Sequence, residues 1–164
     1  MLERLTPAAA RSVVLAQEIA RLGHWHRIRT RHVLLGLAAC DGSGAARILQ
    51  GSGFDVDLAL PRAGQAAWHR TRSPGHIRLS EGTLTAISRA SKLADQSSDR
   101  LVTSAGLLAA LMDFPRREDV GRLRAVGLTP VEVLRQSANL DGHEALRSFR
   151  IPPPGGGIPG AADH

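Results

Sequence analysis

The chain has 164 residues, of which 43% are hydrophobic and 3% aromatic, and this length fits one domain or two very small ones, since domains usually have about 100–200 residues. Tyrosine is absent, so the core must be built from Leu, Val, Ile and Ala, which favours packed helices over sheets. The formal net charge is +6. The chain has one cysteine, Cys40, so an internal disulfide is excluded. No segment approaches the roughly 20 consecutive apolar residues of a membrane span. We therefore expect a cytoplasmic protein.

Four short helices are predicted in the first half of the chain. Thr6 before Pro7 is typical of a helix start, with a hydroxyl cap and proline at the first helical position, and Gly23 is the matching stop. Apolar residues recur every three or four positions between them, as on one face of a helix. The predicted starts of the four helices are Thr6, Thr30, Gly44, and Asp55 or Asp57.

The second half shows the same order of signals. Its predicted helix starts are Ser80, Thr103, Asp119 and Thr129. Three pairs of landmarks in the two halves have nearly the same separation in the chain, namely Thr6 with Ser80, Thr30 with Thr103, and Gly53 with Gly127. The separation of Thr6 from Ser80 is here called the repeat spacing. A nearly constant separation between several pairs of landmarks is the signature of an internal duplication. The predicted fold is therefore an all-α, eight-helix bundle made of two pseudo-symmetric four-helix repeats.

The expected segment boundaries follow from this duplication. Residues 1–68 form the first repeat, residues 69–79 a linker, and residues 80–142 the second repeat. Each repeat is too small to bury a sufficient core alone, so both are expected in one compact domain, 1–142. Residues 143–164 are rich in proline and glycine and are expected to form a flexible tail.

The order and spacing of these motifs resemble the amino-terminal Clp repeat domain of the Clp ATPases, most closely that of actinobacterial ClpC. The segments that carry the resemblance are MLERLTPAAARSVVLAQEIARLGH, TRHVLLGL and GAARILQGSGF, with a weaker second copy beginning GHIRLSEGTLTAI. The resemblance implies a non-enzymatic module that docks adaptor and substrate proteins of an ATP-driven unfoldase. It implies no catalytic residues, no metal and no cofactor, and we expect a monomer. The chain also has no GxxxxGKS or GxxxxGKT loop for binding ATP phosphates.

One departure from the resemblance concerns the polar residues before the Leu-Leu-Gly-Leu run. ClpC-type repeats carry Gly-Thr-Glu-His there, and the resemblance implies that the glutamate helps to bind phosphoarginine on marked substrates. The matching positions here are Arg31 and Ser104, and His32 follows Arg31. A cation or a hydroxyl offers no anion to the guanidinium of phosphoarginine. We therefore expect an altered polar site with weak or no recognition of phosphoarginine.

A second site implied by the resemblance is an apolar groove near the start of each repeat, where cyclic peptide antibiotics dock in actinobacterial ClpC. Its aromatic positions are leucines here, which removes aromatic stacking of about 0.5–1.5 kcal/mol per pair. The predicted groove residues are Leu2, Leu5, Val13, Val14 and Leu79. A different interpretation is that Leu2 and Leu79 only plug the ends of the bundle, and both interpretations remain open.

Clusters of arginine raise a different function, nucleic-acid binding. Two stretches contain several basic residues and no acid, and such patches can neutralise phosphates. They run from Arg21 to His32 and from Arg62 to Arg78. Few aromatic residues are available for base stacking, and no known DNA- or RNA-binding motif is present. Nucleic-acid binding is therefore the alternative, and a protein-binding module without affinity for nucleic acid is the main prediction.

Overall fold

The computed structural model describes residues 2–23, 25–54, 77–96, 100–113 and 118–138. Within these ranges the chain forms seven α-helices and two short β-strands, which confirms the predicted all-α class. A 3₁₀ turn, Leu2–Arg4, precedes them. The elements are α1 (Pro7–Leu22), β1 (Arg27–Ile28), α2 (Thr30–Ala39), α3 (Gly44–Gly51), β2 (Arg78–Leu79), α4 (Glu81–Ala94), α5 (Ser104–Met112), α6 (Glu118–Ala125) and α7 (Pro130–Ser137). The predicted fourth helix of the first repeat, most of the linker and the tail lie outside the described residues.

Most of the predicted helix starts are confirmed. The side chain of Thr6 accepts a hydrogen bond from the backbone N–H of Ala9 at 3.2 Å, and Ser80 accepts one from Thr83 at the same distance. Each bond satisfies one of the N–H groups that have no partner within the first helical turn. Thr103 and Thr129 cap α5 and α7 in the same way.

The start of α2 differs from the prediction, because Thr30 is not its cap. The helix begins at Thr30 itself, so the cap position falls to Arg29. The Thr30 hydroxyl is buried and has no hydrogen-bond partner in the described part of the chain. The ring of His32 takes part of the capping role, since its Nδ1 accepts a hydrogen bond from the Arg29 N–H at 2.9 Å. Capping rules do not indicate Arg29 at this position, because its side chain has no acceptor for helix N–H groups.

Two reciprocal strand pairs join the repeats, and the sequence analysis did not predict them. The backbone N–H of Thr6 donates to the carbonyl of Val102 at 2.9 Å, and that of Ser80 donates to Ile28 at 2.9 Å. Ile28 and Val102 are separated by the repeat spacing, as Thr6 and Ser80 are. Each repeat thus bonds the entry of its first helix to the entry of the other repeat's second helix. Strands of one or two residues carry no alternating pattern that sequence could reveal.

The turns after α3 and α6 repeat the same geometry. Gly53 and Gly127 have φ angles of 86° and 87°, a left-handed conformation that favours glycine. The backbone N–H of the residue after each glycine donates back to the carbonyl of Leu49 or Leu123, at 3.0 Å in both turns. This is the Schellman arrangement, which satisfies carbonyls at the end of a helix. The two glycines noticed as sequence landmarks are therefore structural equivalents.

The structure corrects one of the predicted correspondences. Helices α2 and α5 begin at Thr30 and Ser104, which are separated by the repeat spacing like the other equivalent positions. Ser104 is therefore the counterpart of Thr30, and Ala105 is the counterpart of Arg31. The separation of Thr30 from Thr103 is one residue shorter than the repeat spacing. Pairing them matched the first helical residue of α2, Thr30, with the capping residue of α5, Thr103. The two residues have the same side chain but different places in the helix.

One cluster of buried apolar side chains draws on both repeats. Its larger, nearly inaccessible members include Leu37, Leu49, Ile87, Leu107 and Val133. On α4, Leu84 is 43% exposed, whereas the neighbouring Thr83 is buried. Thr83 can be buried because its hydroxyl donates to the carbonyl of Ile28 at 2.8 Å.

Helices α1 and α2 approach each other closely enough for their backbones to touch. The face of α1 that meets α2 contains the small buried residues Ser12 and Ala16. A Cβ atom added to Gly36 of α2 would lie 2.2 Å from the carbonyl oxygen of Ser12 and 2.9 Å from the nitrogen of Ala16. Backbone atoms cannot move aside without displacing the helix, so this position requires glycine.

Gly36→Ala is expected to lower the free energy of unfolding by about 3 kcal/mol, since a side chain forced into a packed interface displaces the helices. The measurement is urea unfolding followed by circular dichroism. Gly51→Ala is the matched control, because a Cβ there meets nothing within 4 Å and alanine is the better helix former by up to about 1 kcal/mol. Wild-type stability of Gly36→Ala would contradict the backbone contact.

Candidate functional site

Trp25, between α1 and β1, is the centre of a cluster of polar and charged side chains. Its backbone N–H donates to the carbonyl of Ala20 at 2.8 Å, which fixes the chain after α1. The His32 ring lies 5.3 Å from the Trp25 ring, centre to centre, with an angle of 61° between the planes. The guanidinium carbons of Arg29 and Arg31 lie 5.1 Å and 5.2 Å from the same ring centre. Both arginines therefore make cation–π contacts with one tryptophan.

Burial and neighbouring charge keep His32 neutral. Its side chain is fully buried, and burial first, then the positive charges of Arg31 and Arg29, lowers the pKa of His32 to about 4. Nδ1 accepts the bond from Arg29, so the proton of the neutral ring is on Nε2. Nε2 is buried and has no hydrogen-bond partner among the described residues. The predicted pair Arg31 and His32 is thus brought together at Trp25: Arg31 lies over the tryptophan ring, and His32 contacts the ring from the buried side.

Ser104, the third member of the predicted polar site, lies in a different environment. It is fully buried, and its hydroxyl accepts a hydrogen bond from the backbone N–H of Ala45 at 3.1 Å. Ala45 is in the first turn of α3, where N–H groups have no partner within the helix. Ser104 therefore connects the start of α5 to the start of α3, while Arg31 packs on Trp25.

The predicted groove residues have different exposures. Leu5, Val13 and Leu79 are half-buried and pack against the core, whereas Val14 is 56% exposed. Leu5 pairs with Val102, and Leu79, its counterpart by the repeat spacing, pairs with Ile28. The two leucines thus occupy equivalent places in the two strand pairs, one at the entry of α1 and one at the entry of α4. Leu2 opens the 3₁₀ turn.

The strand pair β1–β2 creates a basic face that the sequence analysis did not predict. Arg27 lies beside Arg78 in register, and Ile28 lies beside Leu79. Side chains alternate between the two sides of an extended backbone, and Ile28 is buried while Arg27 and Arg29 are exposed. Arg27, Arg29 and Arg78, here called the basic face, therefore point to the same, solvent side. Arg78 lies in the predicted linker and far from Arg27 in the sequence, so no local pattern indicates that the two arginines are neighbours.

A shallow cleft of about 270 Å³ lies elsewhere, between the end of α3 and the turn that joins α6 to α7. Its lining includes Ser52, Leu128 and Gln136 and none of the predicted site residues. The described ranges contain no cluster of three or more His, Cys, Asp or Glu side chains able to hold a metal ion. They also contain no helix with the length and apolar character needed to span a bilayer.

The unfolding free energy is expected to fall by about 2 kcal/mol between pH 7 and pH 5 because of His32. The unfolded chain takes up a proton near pH 6.5, whereas the folded chain does so near pH 4. Stability from the neutral ring is thus present above pH 6.5 and is lost as the pH falls towards 4. Urea unfolding at several pH values measures the slope.

His32→Gln is the control for this pH dependence, since glutamine can accept the Arg29 N–H bond but does not titrate in this range. The variant should be folded at pH 7 and should have a flatter stability profile down to pH 5. An unchanged profile would assign the pH dependence to other groups.

Comparison with known proteins supports the fold and its repeats. A family model described as the Clp repeat (R) N-terminal domain matches residues 4–121. Among solved structures, the N-domain of ClpV from Vibrio cholerae superposes with a TM-score of 0.71 at 13% identity, over 89% of this chain and 90% of that one.

Two further structures show the same similarity. The N-terminal domain of the Clp-protease-associated chaperone ClpD from Arabidopsis thaliana gives a TM-score of 0.62 at 20% identity, over 85% of this chain and 95% of that one. The Hsp104 N-terminal domain from Candida albicans gives 0.60 at 16% identity, over 87% and 93%. At these identities the structures establish a shared fold. Since the family model matches well over half of the sequence, the chain belongs to the Clp repeat N-terminal domain family.

Proposed function

We propose that this chain is a non-enzymatic, ClpC-type module that binds polypeptides in regulated proteolysis. Clp N-terminal domains are protein-interaction modules of Clp ATPases. The ligands in this proposal are adaptors, substrates or cyclic peptide antibiotics of a ClpC unfoldase. The module acts in the cytoplasm as a monomer. By binding such ligands it would keep them from the unfoldase and so act as a decoy or sequestering protein.

The observation that carries the proposal is the apolar surface of α1. Val14 is 56% exposed beside Val13, which packs on the core. An exposed aliphatic side chain next to a half-buried one offers apolar area to a ligand without unfolding the helix, and each Å² removed from water contributes about 25 cal/mol. The proposed groove also includes the half-buried Leu5 and Leu79, which lie at the entries of α1 and α4.

We propose that phosphoarginine is not the preferred ligand of this chain. In this interpretation Arg31 replaces the family's glutamate with a cation and packs its guanidinium on Trp25. A phosphoarginine guanidinium would meet a like charge there, and like charges repel at close range. Ser104 adds no anion, because its hydroxyl is bonded to the start of α3.

A second function, binding of nucleic acid, is favoured by one observation, the adjacency of Arg27 and Arg78 across the strand pair. Arginines on one exposed face can neutralise phosphates. Phosphate contacts predict a steep loss of affinity with rising salt, whereas an apolar groove predicts little change. A salt series with each ligand therefore separates the two functions.

The test is calorimetric titration with a ClpC-directed cyclic peptide at low and high salt. Binding that is insensitive to salt is expected, and Val14→Glu should weaken it about tenfold or more, since a charge would be placed in an apolar contact. Val131→Glu is the matched control, because Val131 is also exposed, at 76%, but lies on α7. Equal affinity of both variants and wild type would count against this groove.

A further inference from the structure

The two strand pairs place an arginine at equivalent positions, and only the first repeat's arginine has a carboxylate partner within the described ranges. Arg4, before Leu5, donates from Nη2 to Oδ1 of Asp95 at 2.7 Å. Its Nε and Nη2 also donate to the carbonyl of Arg100, at 3.0 Å and 2.8 Å. The guanidinium of Arg4 is thus engaged by one acid at the end of α4 and by one backbone carbonyl before α5.

Arg78 is the counterpart of Arg4 by the repeat spacing, and the residue equivalent to Asp95 has the opposite charge. The counterpart of Asp95 by the same spacing is Arg21, whose guanidinium is held by Glu18 at 2.8 Å on its own helix. Arg78 is exposed and has no ion pair within the described residues. The position that is Asp95 in the second repeat is therefore a cation, Arg21, in the first repeat.

The basic face adds further positive charge around Arg78. Arg27 is directly opposite it in the strand pair, a placement in which like charges destabilise a sheet. Arg29 follows on the same side, and Arg31 lies near it on Trp25. Glu81, three residues after Arg78, is the next acid along the chain, and it forms no ion pair in the described part. Among the described residues, no acid forms an ion pair with Arg27, Arg29 or Arg78.

From this asymmetry we infer that the basic face of Arg27, Arg29 and Arg78 binds an acidic polypeptide segment of a partner protein. A carboxylate of that segment pairs with Arg78 as Asp95 pairs with Arg4, and a backbone carbonyl of the segment can accept from Arg78 as the carbonyl of Arg100 accepts from Arg4. The inference rests on the proposed function, since it names the chemistry of one polypeptide partner. Arginine suits this role because its planar fork of donors matches a carboxylate.

A polypeptide fits this face better than a nucleic acid does. The equivalent arginine in the first repeat is satisfied by groups that polypeptides carry, a carboxylate and a main-chain carbonyl. Single-stranded nucleic acids are usually held by base stacking on aromatic rings. Within the described part of the chain, the tryptophan beside this face is Trp25, and two guanidinium groups already lie over it.

The test uses a fluorescent oligoglutamate peptide and the full chain, with affinity measured by anisotropy at low and high salt. Wild-type protein is expected to bind the peptide, more weakly at high salt because the contacts are ionic. The double variant Arg27→Gln/Arg78→Gln should bind about tenfold or more weakly. Arg47→Gln/Lys92→Gln, which removes the same net charge from exposed positions on α3 and α4, should bind like wild type.

Circular dichroism confirms that each variant is folded, and two further ligands complete the comparison. Equal oligoglutamate affinity for the two double variants would overturn the inference. Tighter binding of an oligothymidylate than of oligoglutamate, lost in the Arg27→Gln/Arg78→Gln variant, would overturn it in favour of nucleic acid. If oligoglutamate fails to bind while the ClpC-directed cyclic peptide binds, only this inference fails. If neither peptide binds, the proposed function fails as well.

Discussion

The backbone hydrogen bonds from Thr6 to Val102 and from Ser80 to Ile28 are the constraint on which the rest of the structure depends. Each joins the residue that caps one helix to the segment that enters a helix of the other repeat. Buried N–H and carbonyl groups need partners, and these groups find theirs across the repeats. The bonds therefore hold the caps of α1 and α4 and the entries of α2 and α5 in one arrangement. That arrangement places Leu5, Leu79 and the basic face.

Within this symmetric frame the two repeats differ in their packing and their charge. Gly36 allows the backbones of α1 and α2 to touch, whereas its counterpart by the repeat spacing in α5 is Ala110, which is also buried. Arg4 is bound to Asp95, whereas Arg78 faces solvent beside Arg27. A duplication supplies two copies of each position, so one copy can keep a structural contact while the other changes its surface.

The cluster around Trp25 combines a structural and a surface role. His32 is neutral because it is buried next to two cations, and its Nδ1 accepts the backbone N–H of the arginine at the cap position. The guanidinium groups of Arg29 and Arg31 lie over the tryptophan ring, so the ring holds two positive charges at the surface of the cluster. Local rules of helix capping are broken here, and such sites are where function is commonly found.

The helical class, most of the helix starts and the spacing of the duplication can be read from the sequence, because apolar periodicity, capping residues and glycine turns are local signals. The tertiary structure alone decided that His32 rather than Thr30 serves the start of α2, and that Ser104 bonds to Ala45 instead of joining Arg31. It also decided that Arg27 and Arg78 are neighbours. These features depend on burial, on small shifts in a helix start, or on pairing between positions that are distant in the chain. A periodic pattern along the chain contains none of that information, since the contacts arise when the two repeats pack together.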